Sequence, residues 1–124
     1  MNPADQPKSP STIGLPPAQF AAAFPFHFAL DQQLRLLQTG SSLLRICPDL
    51  KPGVSLAEVF EPFRPKGQIA LDWVRKNIDH FFLLEHRVSK LLLRGQFMLL
   101  PETDTILFLG SPWLTDSSEI VKLV

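Results

Sequence analysis

The chain has 124 residues, 45% of them hydrophobic and 19% charged, and its twelve basic side chains cancel twelve acidic ones. That length suits one domain, whose folding hides about 65% of the extended-chain surface, enough for a single sizeable core. Balanced charge removes the electrostatic case for nucleic acid or an anionic membrane surface, both of which recruit a basic excess, and leaves protein partners as the expected class. Cys47 stands alone, so the chain forms no internal disulfide; its neighbours Ile46 and Leu50 predict a buried thiol and a cytoplasmic setting. No apolar run approaches the roughly 20 residues of a membrane-spanning helix, because Leu91 to Leu93 is broken at once by Arg94 and Gly95. The N-terminus lacks the basic start and apolar block of a secretion signal, so no membrane contact is expected of this domain.

Residues 1–19 hold five prolines and almost no large apolar side chains. Proline removes backbone donors and fixes φ, so this stretch is expected to be an extended, disordered tail. Pro17 is a good first helical position, and a short helical turn is expected from there to Ala23. From Phe24 the period becomes two. Phe24, Phe26, Phe28 and Leu30 alternate with Pro25, His27, Ala29 and Asp31, which predicts a strand with one apolar face. Asp31 to Gln33 turns the chain, and a second strand returns over Leu34 to Thr39.

Gly40 and two serines precede a short helix that Pro48 ends, with a serine expected to cap its free amides. Pro52 and Gly53 turn the chain again, and Ser55 with Glu58 has the spacing of a capping box for a further short helix. Pro62 and Pro65 bracket a connector. Ile69, Trp73, Ile78 and Phe81, with Leu71 and Val74 nearby, then fit a longer amphipathic helix through about Asp79. Three strands are expected to follow, over Phe82 to Val88, Lys90 to Leu100 and Thr105 to Leu109, the last two joined by a turn at Pro101 to Asp104. Arg94 beside Gly95 within a strand reads as a bulge in preference to an interaction patch. The order strand, strand, three helices, three strands implies an α+β domain: a PAS-like, five-stranded antiparallel sheet with short helices on one face.

Several separated motifs share this order: AFPFHF from Ala23 to Phe28, DQQLRLLQTGSSLLR from Asp31 to Arg45, CPDL from Cys47 to Leu50, Arg64–Pro65, LRGQF from Leu93 to Phe97, and LPETDTILFLGSPW from Leu100 to Trp113. Together they resemble the haem-NO-binding-associated domain, a PAS-like module that lies between the haem sensor and the cyclase in soluble guanylate cyclases and occurs in bacterial histidine kinases. The resemblance places the PAS-like domain at 20–116 and the start of a C-terminal signalling helix at 117–124. It implies dimerisation and signal relay coupled to NO/O2-type haem sensing. It also implies no catalysis and no cofactor in this chain, and a separate haem NO-binding sensor protein as a partner. The expected parent is a bacterial histidine kinase, with a guanylate cyclase as the alternative.

The residues themselves spell no chemistry. His27, His80 and His86 lie on different elements and lack the spacing of shared metal or haem ligation. Asp31, Asp49, Asp72 and Asp79 form no spaced pair, and Gly110-Ser111-Pro112 lacks the nucleophile-elbow pattern. What stands out is surplus apolar surface. Phe97 to Leu100 and Ile106 to Leu109 are apolar at successive positions, so both faces of these strands need cover and one helix layer supplies only one. A second copy is the expected cover, with Phe20, Phe24, Phe26, Leu107 and Leu109 as candidate dimer-interface residues; the other reading is that the N-terminal helix around Phe20 folds over that face within one chain, and the two can coexist. The alternative is a PAS sensor that holds a small molecule or haem in its own pocket.

Overall fold

The computed structural model describes residues 14–113. The first part of the expected tail and the expected helix start at 117–124 lie outside the described residues. Helix α1 (Pro17–Ala23) begins at Pro17, as its fixed φ favours. Strands β1 (Phe28–Leu30) and β2 (Leu36–Thr39) form a hairpin, followed by the short helices α2 (Ser41–Ile46) and α3 (Leu56–Val59). Strand β3 (Phe60–Arg64) and helix α4 (Leu71–Lys76) lead into β4 (Phe82–His86), β5 (Leu92–Leu100) and β6 (Thr105–Pro112). All six strands join one sheet in the order β2-β1-β6-β5-β4-β3, and every neighbouring pair is antiparallel.

The fold is therefore α+β with an antiparallel sheet and short helices, but with six strands rather than the expected five. The additional strand is β3, which contains Pro62 and takes the place of the connector expected between Pro62 and Pro65. It pairs only with β4, so the missing N–H of Pro62 costs no ladder bond on the free side, as edge strands allow. The opening strand is shorter than the Phe24 to Leu30 alternation implies. Pro25 and Phe26 form a turn, with the His27 N–H donating to the Phe24 carbonyl at 3.2 Å, and pairing starts only at Phe28. Helix α4 is likewise shorter than expected, although Ile69 and Ile78 beyond its ends still pack on the core. No serine side chain caps α2 or α3; their N-cap residues are Gly40 and Ser55, neither with a side-chain cap bond.

One face of the sheet and helices α2 to α4 enclose the core. Phe28 stacks on Phe108 with centroids 4.7 Å apart and on Phe60 at 5.7 Å, while Phe97 meets Phe82 edge-on at 4.7 Å and Trp73 meets Phe82 edge-on at 4.9 Å. Offset and edge-to-face pairs of this kind add stabilisation beyond simple burial. Leu43 of α2, Leu56 and Val59 of α3, and Trp73 and Val74 of α4 complete the cluster. No register shift accompanies Gly95, so the expected bulge is absent: Phe82, Gly95 and Gly110 stand opposite one another in regular pairing. The glycines serve close approach instead. A Cβ on Gly95 would lie 2.3 Å from the Leu109 carbonyl oxygen and 2.7 Å from the Phe108 ring. Register shifts do occur between Ala29 and Leu30 against β2, and between Pro62 and Arg64 against β4.

Candidate functional site

Strand alternation sends the residues between those core positions to the opposite, outer face of the sheet. Cross-strand register then lines them up in rows. Gln38, Ala29, Leu107 and Met98 make one row, Leu109 and Gln96 the next, and Ser111, Arg94 and Leu83 a third. Leu107, Leu109 and Leu83 are half-buried, whereas Met98 is 48% exposed. The outer face thus carries an apolar stripe with glutamines beside it, and it is wetter than the face beneath.

The chain enters at this side. Because Phe28 points into the core, His27 stands outward with Ala29. Its Nδ1–H donates to the Phe24 carbonyl at 2.7 Å, so Nε2 is the acceptor, 2.8 Å from Nε2 of Gln38. Phe20 rests edge-on against the His27 ring at 4.9 Å and lies tilted against Phe24 at 5.1 Å. Helix α1 has no buried residue, and Leu15 before it is half exposed. Of the candidate interface residues, Phe20, Phe24, Leu107 and Leu109 are half-buried, with the two leucines on the outer face; Phe26 is also half-buried but packs against the core.

The described chain ends at this side too. Arg94 places its guanidinium carbon 4.0 Å from the centroid of Phe81 and 5.2 Å from that of Trp113, within the reach of cation–π attraction. The Trp113 N–H donates to the Leu92 carbonyl at 2.7 Å, extending the β5·β6 ladder one residue past Pro112.

A second cluster lies at the other end of β4 and contains the residue types of a hydrolytic triad. His86, 1% exposed, sits 2.8 Å from Oδ1 of Asp49 through Nε2 and 2.8 Å from Oγ of Ser89 through Nδ1. The geometry is that of a staple. The Ser89 N–H donates to His86 Nδ1 at 3.1 Å, so the ring proton lies on Nε2 and is directed at Asp49. Oγ of Ser89 accepts the Leu91 N–H at 3.1 Å, and Cys47 Sγ lies 3.8 Å from it, so the hydroxyl is committed to the β4–β5 turn. Burial pushes the Cys47 thiol up to about 11, opposite to the depression that makes a cysteine reactive. His80 is exposed. Among the described residues no group of three or more His, Cys, Asp or Glu side chains could hold a metal ion, and no helix is long and apolar enough to cross a membrane.

Fold and site together define a PAS-like module whose distinctive surface is a sheet face rather than a pocket of reactive groups. Residues 13–90 and 77–123 match the sequence profile of the family described as "Heme NO binding associated", and the chain belongs to that family. Its relatives include the soluble guanylate cyclase gcy-32 of Caenorhabditis elegans, 29% identical over an alignment covering 90% of this chain and 22% of the relative. The guanylate cyclase soluble subunit alpha-1 of Rattus norvegicus is 31% identical, covering 85% and 17%. The head-specific guanylate cyclase of Drosophila melanogaster is 29% identical, covering 84% and 17%. The chain thus spans about one fifth of the length of these relatives.

Proposed function

We propose that this chain is a non-catalytic dimerisation and signal-relay domain of a cytoplasmic signalling protein coupled to NO/O2-type haem sensing. The observation that carries the reading is the outer sheet face, where the Ala29–Leu107–Met98 row leaves Met98 48% exposed, and where helix α1, whose Phe20 rests on His27, buries none of its own residues. Apolar surface of this kind marks association sites, and a symmetric copy presents the same stripe in return. Family membership and relatives named as guanylate cyclases support a role beside a haem sensor. Those names favour a cyclase-type parent over the histidine kinase implied by the motifs alone. A separate haem NO-binding protein is the proposed upstream partner.

The alternative, a sensor with its own ligand, would use the cleft of about 300 Å³ lined by Gln32, Leu34, Ser55, Ala57, Ile69 and Leu71, since Phe28, Phe60, Phe97 and Phe108 pack the space between sheet and helices. Sedimentation velocity of the purified chain tests the proposal. A dimer is expected at micromolar concentration, and the double variant Leu107→Gln, Leu109→Gln is expected to sediment as a folded monomer. A wild-type chain that is monomeric throughout that range sinks the dimerisation reading, and a Soret band in purified protein would restore the ligand-binding one.

A further inference from the structure

We infer that Arg94 is a positioning residue that clasps the end of β6, at Trp113, to the outer sheet face. The inference rests on the relay reading, since a clasp at the end of this strand matters only if something is transmitted along it. Arg94 lies at the middle of the third outer row, between Leu83 of β4 and Ser111 of β6. Its guanidinium reaches Phe81, the residue before β4, and Trp113, the residue after β6. One side chain from β5 therefore gathers rings from the ends of both strands that flank it.

These rings have little else to hold them. Phe81 is 52% exposed and Trp113 40% exposed, so core burial does not fix them as it fixes Phe82 or Trp73. Pro112 has no N–H to donate, which leaves the bond from the Trp113 N–H to the Leu92 carbonyl as the last backbone tie of this ladder among the described residues. A planar guanidinium can stack on aromatic faces, whereas a compact ammonium acts as a point charge, so lysine is an imperfect substitute. An exposed contact of this strength is small against the stability of the whole domain but large against the local opening of a terminal ladder bond. The clasp can therefore open and close without unfolding the sheet.

Amide hydrogen exchange on the full 124-residue chain tests this, with Arg94→Gln, Arg94→Lys and Phe81→Leu compared with wild type. Arg94→Gln is expected to speed exchange of the Trp113 amide by roughly 2- to 5-fold, the factor an exposed cation–π contact represents. It should also raise acrylamide quenching of tryptophan emission while the melting temperature and exchange in the β1–β2 hairpin stay unchanged. Arg94→Lys should fall between Arg94→Gln and wild type, and Phe81→Leu should move the Trp113 amide in the same direction. Unchanged Trp113 exchange in Arg94→Gln overturns the inference, as does a uniform rise across the sheet, which would make Arg94 a general stabiliser. Sedimentation of the same samples keeps the two readings apart: a monomeric wild type defeats the relay reading whatever Trp113 does, and a dimer with an unmoved Trp113 amide defeats only the clasp.

Discussion

The two faces of this sheet are built from the same strands and differ in nearly everything else. On the inner face Phe28, Phe82 and Phe108 have no exposed surface, and their rings meet at stacking or edge-on distances. On the outer face, one residue along each strand, Met98 is half exposed, glutamines break the apolar rows, and Arg94 lies open beside two aromatic rings. Close packing makes the inner face intolerant of change in volume, while the outer face is covered by its own chain only around His27 and Ala29 and is looser beyond them. The fold resides in one set of alternating positions. The surface available for communication resides in the other.

The sharpest way to break the comparison is to empty the inner face. Phe28→Ala removes a ring packed between Phe60 and Phe108 and is expected to cost about 3–5 kcal/mol, read as a large fall in the urea midpoint. Filling it is the next test. Gly95→Ala forces a methyl to within 2.3 Å of the Leu109 carbonyl oxygen, a backbone atom that cannot swing away, and should cost about 1–3 kcal/mol in the same measurement.

How much of this was legible in the sequence follows from the range of the interactions. The hairpin of β5 and β6 could be read because its turn is local: Pro101 sets the bend, and the Asp104 N–H returns to the Pro101 carbonyl at 3.4 Å. Helix α1 was likewise readable from Pro17. The apparent strand over Phe24 to Phe26 was misread because period two in phenylalanine does not reveal that Pro25 turns the chain. β3 was missed because prolines look like breakers until the strand is known to lie at an edge. Gly95 looked like a bulge because its requirement for closeness comes from Phe108 on the next strand. The Asp49–His86 pair spans 37 residues and the Arg94 cradle depends on cross-strand register, so neither leaves a local spacing to find.

The buried polar staple lies between the two faces in its expected cost. Asp49→Ala leaves the Nε2–H of His86 without its acceptor and should lower stability by about 1–3 kcal/mol, toward the lower end because the carboxylate is 40% exposed and water can replace it. Cys47 provides a pH test of the same region. Its folded thiol is pushed up to about 11 by burial, whereas the unfolded thiol ionises near 9.0. The contribution is complete below about pH 9 and is lost as pH rises toward 11, because the unfolded chain then releases a proton that the folded chain retains. At pH 10 the loss attributable to this group is roughly 1 kcal/mol, and Cys47→Ala should remove that part of the slope in a urea titration against pH.

The smallest effect on the fold is expected one residue away from one of the most sensitive positions. Leu107 and Phe108 are neighbours in β6, but Phe108 stacks on Phe28 in the core and Leu107 faces outward between Ala29 and Met98. Leu107→Gln exchanges a half-buried apolar side chain for a polar one of similar length that can reach water. At a concentration low enough to keep the chain monomeric, its stability should change by no more than about 0.5 kcal/mol. The condition matters, because association adds a concentration-dependent term to the stability of any chain whose folded form dimerises. Wild type should therefore gain stability as its concentration rises while Leu107→Gln gains less, and the two melting curves should separate with concentration. Curves that stay parallel would mean that Leu107 contributes nothing to association. A large loss at the lowest concentration would mean that the outer face, too, belongs to the core.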